Sequence, residues 1–338
     1  MAWEKRVRIG FDNMIPAGRI AAIWRYPVKS MAGERITAAQ VDERGVHADR
    51  TWAVRDVELN TTTGAKRLPG LLLCTARYAH EPTAEAGPGN APDVVIGFPD
   101  GTEVSSADPA VHRILSDFVG RDVELQALPA LSDRDLYRGT MATKADLRSM
   151  FGLGPDEPLP DLSMFPVRKL AELSRYATPV GSFVDAYPVH ILSEQALQAM
   201  GALAPGSDFD VRRFRPTMLV DCPGSSPHPE LDWCGGELDT PHATFSPLIP
   251  TIRCVMPSLE QAGLAGDPVV TRTVAAHSRR CLGVYATVAK PGRISEGELL
   301  ELDPPNRSAV ASVASATAGR MKRAVMQAAS LVLPSSRR

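Results

Sequence analysis

Ile20-Ala21-Ala22-Ile23-Trp24-Arg25-Tyr26-Pro27-Val28-Lys29-Ser30 reads as a β-strand brought to a stop by a proline. Its β-branched and aromatic residues suit a pleated, half-buried surface. Pro27 has no amide hydrogen for a ladder, so the strand ends there or lies at an edge. Outward from this run the pattern repeats. Residues 41–44 lead into Gly45, and Arg50-Thr51-Trp52-Ala53-Val54 forms the next strand. Lys66-Arg67-Leu68-Pro69-Gly70 is a turn. Residues 93–98 and 102–104 form a hairpin around Pro99-Asp100-Gly101, and residues 108–119 carry helical spacing.

Residues 132–180 are polar, proline-punctuated and weakly periodic, with a short helix expected over 167–174, so the boundary between two structural halves falls here. Residues 189–192 are a short strand, and Ser193 is placed to cap a helix that begins at Glu194. Short strands and turns then return over 218–220, 237–238, 243–248 and 282–288. Pro291-Gly292 opens a turn, strand and turn. With 29 prolines and 26 glycines spread along 338 residues, the expected fold is mainly β with some α, of β-barrel architecture.

Hydrophobic content of 44% and charged content of 22% are ordinary for a globular protein, and a net charge of −2 argues against a nucleic-acid binder. The five cysteines (Cys74, Cys222, Cys234, Cys254 and Cys281) make no CxxC pair, a poor disulfide framework that points to a reducing compartment. The N-terminal residues 1–10 have no apolar stretch of the signal-peptide kind, and no run is long enough to span a bilayer as a helix. The expected location is the cytoplasm.

Cys254 ends Leu248-Ile249-Pro250-Thr251-Ile252-Arg253-Cys254. A thiolate is a soft metal donor, and the adjacent Arg253 favours its formation; a lone cysteine is equally a small buried hydrophobe. Lys29 and Ser30 on a turn can hold a phosphate, and Arg50 can add a guanidinium to the same face. Arg212-Arg213-Phe214-Arg215 is expected as an extended segment with Arg213 and Arg215 on one face. There they meet either an anion or a structural salt bridge to Asp210 or Asp221. His190 in its apolar strand reads as a core histidine. Cys222, Cys234 and His228 lack a fourth ligand for zinc.

These stretches together resemble the MOSC family, named after the C-terminal part of molybdenum cofactor sulfurase. The resemblance is carried by Tyr26-Pro27-Val28-Lys29-Ser30, Lys66-Arg67-Leu68-Pro69, Pro188-Val189-His190-Ile191-Leu192-Ser193, Arg213-Phe214-Arg215-Pro216, Arg253-Cys254 and Leu282-Gly283-Val284-Tyr285, in that order. It implies an N-terminal MOSC β-barrel domain over 19–130, a connecting segment over 131–184, and a MOSC β-barrel domain over 185–303. The nearest branch is similar to the mitochondrial amidoxime-reducing component and its bacterial relatives. That likeness implies a molybdenum cofactor (Mo-molybdopterin) with Cys254 as metal ligand and catalytic centre. It also implies contacts to the pterin and its phosphate from Lys29, Ser30, Arg50, Ser193, Arg213, Arg215, Thr217 and Arg253. The implied activity is reduction of N-hydroxylated or related N-/S-oxygenated small molecules, with electrons from a separate flavin or iron–sulfur protein. The alternatives are a non-redox sulfur carrier or cofactor handler using a Cys254 persulfide, and a catalytically silent binding module. Two places depart from the family: Thr217 stands where asparagine is usual after Arg-Pro, and Val255-Met256-Pro257-Ser258 replaces a polar loop after the cysteine.

Residues 304–338 are basic and Ser/Ala-rich, with no acidic residue after Asp303. They are expected to form a flexible tail with a short helix near 318–333, dispensable for cofactor binding. Its narrow apolar stripe favours a solvated tail over peripheral membrane contact.

Overall fold

The computed structural model describes residues 14–140 and 142–305. The expected tail therefore lies, from residue 306 onward, outside the described residues. The chain is mainly β, as its short strands and many turns imply. Seven strands close into a barrel in the order Met218–Asp221, Val189–Ser193, Cys281–Lys290, Thr244–Ile252, Glu237–Asp239, Leu299–Asp303 and Ile15–Arg25, which returns to Met218–Asp221. Ile15–Arg25, from the N-terminal half, is thus a stave of a barrel otherwise built by the C-terminal half.

Ile15–Arg25 manages this because it bends. Its first residues pair with Leu299–Asp303, residues 19–23 pair with Met218–Asp221, and residues 23–25 pair with Glu34–Ile36. The register slips between Pro16 and Gly18 and again between Ile20 and Ala22. Such bulges add the twist and curvature a barrel needs. At Gly18 (φ 152°) a Cβ would lie 2.4 Å from the carbonyl oxygen of Asp221, so only glycine lets the two backbones meet.

All ladders in the barrel are antiparallel except Val189–Ser193 with Met218–Asp221. That parallel pair needs a crossover, and the helix Glu194–Leu203 supplies it. Ser193 caps the helix as expected, its Oγ accepting from Ala196 N at 3.1 Å. Ile20, Ile191, Met218, Phe245, Val284 and Leu300 fill the barrel interior.

The N-terminal half packs small three-stranded sheets around a second core that includes Val28, Met31, Leu71, Ile96 and Leu115. The expected hairpin is there (Val94–Gly97 with Glu103–Ser105), as is the helix Val111–Val119. Between the halves, Val167–Arg175 is helical as expected. A further helix, Lys144–Phe151, starts at a capping box made by Thr143 and Asp146. One expectation is corrected. The segment carrying Arg213 and Arg215 is a helical turn, Val211–Phe214, started by the Asp210 side chain and ended by Arg215 in left-handed backbone. Arg213 and Arg215 therefore do not share a strand face.

Candidate functional site

Four strands bring the candidate residues together: Ile15–Arg25 leads into Tyr26–Ser30, Thr244–Ile252 leads into Arg253-Cys254, Met218–Asp221 follows Arg215-Pro216-Thr217, and Val189–Ser193 carries His190. A cleft of about 870 Å³ opens where they meet. Lys29, Ser30, Arg50, Arg213, Arg215, Thr217, Arg253 and Cys254 all line it.

Three of these residues hold backbone that non-glycine residues rarely adopt: Ser30 (φ 72°), Arg50 (φ 53°) and Arg215 (φ 52°). Such strain persists only where the surroundings over-determine it. The Tyr26 ring is part of that support. The Arg215 guanidinium carbon lies 4.2 Å from its centroid and the Arg50 carbon 4.8 Å, and the phenol donates to Pro216 O at 3.1 Å. Cation–π contact of this kind holds two like charges on one ring. Arg50 also pairs with Asp49, whose carboxylate accepts from Tyr26 N at 2.8 Å.

The guanidinium groups differ in what they have left to give. Every nitrogen of Arg213 has a backbone partner, with Nε on Asp208 O at 2.8 Å, Nη2 on Ala265 O at 2.9 Å and Nη1 on Pro257 O at 3.3 Å. Neither Asp210 nor Asp221 is among these hydrogen-bond partners. Arg215 spends Nη1 on Met31 O at 2.6 Å, but its buried Nη2 has no partner. Arg253 spends Nη2 on Phe214 O at 2.8 Å and faces His190 Nε2 with Nη1 at 3.4 Å, while its buried Nε is unused. Burial, with repulsion from Arg50, pushes the Arg215 pKa down to about 10, so the group stays cationic at neutral pH.

Cys254 is a free, partly exposed thiol beside these cations. Among the described residues no group of three or more His, Cys, Asp or Glu could hold a metal ion by itself. A metal on Cys254 would need most of its ligands from a bound cofactor. Ser193 stands apart. It is fully buried, and besides capping its helix it donates to Glu230 Oε2 at 2.5 Å, so its hydroxyl is spent behind the cleft. Thr217 lines the cleft, but its hydroxyl accepts from His190 N at 3.1 Å and fixes that strand edge.

Four further residues belong to the site. Lys66 and Lys29 share Asp185, at 3.0 and 2.5 Å, and Lys29 also donates to Phe183 O at 2.9 Å. Burial alone would push the Asp185 carboxyl up, but the two ammonium groups outweigh it and hold it well below the usual carboxylate range. His190 is driven well down by burial and by the Arg253 charge, so its imidazole is neutral. Gly283 makes room for it, since a Cβ there would lie 2.4 Å from His190 Nε2. Tyr285 is pushed up to about 12, by burial first, and feels the charges of Asp185, Arg253, Lys66 and Cys254. Lys66, His190 and Tyr285 sit inside the stretches that carry the family resemblance; Asp185 has no local signal.

Family models match the chain in two places, the MOSC N-terminal beta barrel domain over residues 17–121 and the MOSC domain over residues 179–301. The chain belongs to the MOSC family. No curated protein matches it. Among solved structures it is similar to the YuaD protein of Bacillus subtilis, at 11% identity over 86% of this chain and 96% of that one, with a TM-score of 0.37. It is also similar to YiiM of Geobacillus stearothermophilus, at 16% identity over 34% of this chain and 54% of that one, with a TM-score of 0.26. MOSC domains occur in molybdenum-cofactor-associated proteins. No helix among the described residues is long and apolar enough to cross a membrane.

Proposed function

We propose that this MOSC protein is a molybdenum-cofactor-dependent oxidoreductase that removes oxygen from N-hydroxylated or related N-/S-oxygenated small molecules, taking electrons from a separate flavin or iron–sulfur protein. One observation carries the reading. A partly exposed thiol, Cys254, stands at a cleft floor where two buried guanidinium groups, Arg215 and Arg253, keep unused N–H donors. Buried donors of this kind are costly unless an anion takes them up. A cofactor that brings a phosphate and its own metal ligands fits both needs.

In this reading the cofactor supplies the two-electron redox chemistry and the chain holds and tunes it. Cys254 would be the protein's one ligand to the metal. Arg215 and Arg253 would grip the phosphate, since a guanidinium offers two parallel donors to a tetrahedral anion. Lys29, Lys66 and Arg50 add positive potential, and the Ser30 hydroxyl can donate from a position fixed by the Ala65 N bond to its Oγ at 2.9 Å. The neutral His190 buttresses Arg253 without adding charge.

The test is the metal and pterin content of protein made in a host that synthesises the cofactor. Stoichiometric molybdenum with pterin is expected in the unaltered chain. Cys254→Ser should lose the metal while its circular dichroism and thermal midpoint stay unchanged. A labile sulfane sulfur on Cys254 without metal would replace this reading with sulfur transfer.

A further inference from the structure

We propose that the cleft holds a second compartment, which binds uncharged small molecules carrying a flat ring, and that the connecting segment between the two halves builds it. Only the statement that such molecules include the substrate rests on the oxidoreductase reading; the binding itself does not.

The compartment is an aromatic series that leads to the floor. Phe165 stacks on Tyr187 with centroids 6.3 Å apart and planes 15° from parallel. Tyr187 meets Tyr285 at 5.4 Å, and Tyr285 meets His190 at 6.0 Å. His190 touches Arg253, the neighbour of Cys254. Phe165, Tyr187, Tyr285 and His190 all line the cleft, so the series joins the connecting segment to the proposed metal ligand along one wall. Leu162, Leu170, Leu173 and Ile252 pack around it. Leu147, Met150 and Phe151, from the helix Lys144–Phe151, extend the apolar lining.

The wall is electrically quiet. Burial pushes the phenols of Tyr187 and Tyr285 up, so both stay protonated and neutral at ordinary pH. Lys169 covers the Tyr187 ring at 4.7 Å, and Glu172 neutralises it at 2.7 Å. Where the family usually has a polar loop after the cysteine, this chain presents Met256 to the cleft. A charged molecule lodged among these rings would exchange its water for hydrocarbon and neutral phenol, with Asp161 the one carboxylate that the connecting segment adds to the lining. A neutral ring would gain the burial of its apolar area and offset or edge-on contact with Phe165, Tyr187 and Tyr285. The cleft volume of about 870 Å³ lies near the top of the range for small-molecule sites, roughly 300–1,000 Å³. The cationic floor and the aromatic wall therefore divide it by chemistry: the floor suits an anion, the wall an uncharged ring.

The experiment titrates the full chain with N-phenyl-1-naphthylamine, a neutral two-ring fluorophore that brightens in apolar surroundings. Saturable binding is expected, unaffected by excess inorganic phosphate and reversed by toluene. Phe165→Ala should weaken it at least tenfold. Because Phe165 is buried and its loss can loosen the segment, Leu170→Gln serves as the second variant. It sits half-buried on the helix Val167–Arg175, and should weaken the probe at least threefold with an unchanged thermal midpoint. Non-saturable fluorescence, displacement by phosphate, or unchanged affinity in both variants would overturn the proposal. Failure here leaves the metal and pterin measurement untouched, and absence of molybdenum leaves the probe titration equally readable.

Discussion

The floor and the wall of the cleft are built by opposite means. The floor gathers residues from positions 29 to 254 at strand ends, and three of them sit in left-handed backbone that only a rigid barrel can enforce. The wall takes most of its aliphatic lining from one stretch, residues 142–177, much of it on two short helices, while its rings Tyr187, His190 and Tyr285 come from the barrel half. Placing unspent charge in a buried site demands long-range architecture, because each cation must be held against desolvation and against its neighbours. The aliphatic part of the wall demands little beyond local pattern, whereas its ring series joins Phe165 to Tyr285 across the chain. Substitutions that act on one region and spare the other test this division.

The largest expected effect falls on Arg213, which lines the cleft with all three of its nitrogens already bonded to backbone carbonyls. Its guanidinium ties Asp208, Pro257 and Ala265 together through their carbonyls. Arg213→Ala would orphan three acceptors beside a cavity, at an expected loss on the order of 4 kcal/mol in urea unfolding. Failure to fold would agree with that. Full stability combined with loss of anion binding would move Arg213 into the floor.

Next is Glu230, behind the floor. It is fully buried against Ser193 and Gly283 N, and burial pushes its pKa up to about 7. The folded state therefore keeps a proton that the unfolded state, with a Glu pKa of about 4.3, gives up. Stability is greatest below about pH 4.3 for this group and falls as pH rises towards 7 and beyond, by on the order of 3 kcal/mol. Glu230→Gln mimics the protonated form and should flatten the unfolding free energy between about pH 5 and pH 8. An equal slope in variant and parent would show that Glu230 does not titrate there.

Much of this molecule was legible in its sequence, for reasons that also explain the gaps. Local signals located the hairpin of Val94–Gly97 with Glu103–Ser105, the helix Val111–Val119 and the Ser193 cap, because each depends on a few adjacent residues. The spacing of cations and thiol, read with the family resemblance, named eight residues that do share one cleft. The ninth, Ser193, was drawn elsewhere by a buried carboxylate that lies 37 positions away. Barrel closure by Ile15–Arg25 is a matter of partners near residues 220 and 300, which no sequence window contains. The Lys66–Asp185 pair spans 119 positions and was invisible for the same reason. The helices Lys144–Phe151 and Pro268–Ser278 did carry signals, a Thr143–Asp146 box and Asp267 before Pro268, but their weak apolar periodicity hid them.

Arg215 should behave as the converse of Arg213. Arg215→Ala removes an unused donor and a cation stacked on Tyr26, and leaves only the Met31 carbonyl without its partner. The expected result is a fall of about tenfold, or 1.4 kcal/mol, in affinity for inorganic pyrophosphate by calorimetry, with a smaller change in unfolding free energy than Arg213→Ala gives. Arg215→Lys should fall between the two, keeping charge without the paired donors. Equal pyrophosphate binding by Arg215→Ala and the parent would remove Arg215 from the floor.

The smallest expected effect isolates the wall. Thr143 is buried, its Oγ1 accepts from Asp146 N at 3.1 Å, and Asp146 answers by accepting from Thr143 N at 2.9 Å. Thr143→Ala breaks this reciprocal cap, which costs about 1 kcal/mol. The far end of the helix is anchored independently: Arg280 Nη1 donates to Phe151 O at 3.1 Å, and Val255 N donates to Met150 O at 2.9 Å. The helix should therefore fray from its start and swing Leu147 while Phe151 stays in place. Dissociation of the naphthylamine probe should quicken two- to fivefold, in line with about 1 kcal/mol at most. Pyrophosphate affinity should not move, because the ion pair of Asp146 with the exposed Arg67, at 3.2 Å, lies outside the lining. A matching loss in both measurements would mean that floor and wall are one cooperative unit, and that the contrast between them ends at composition.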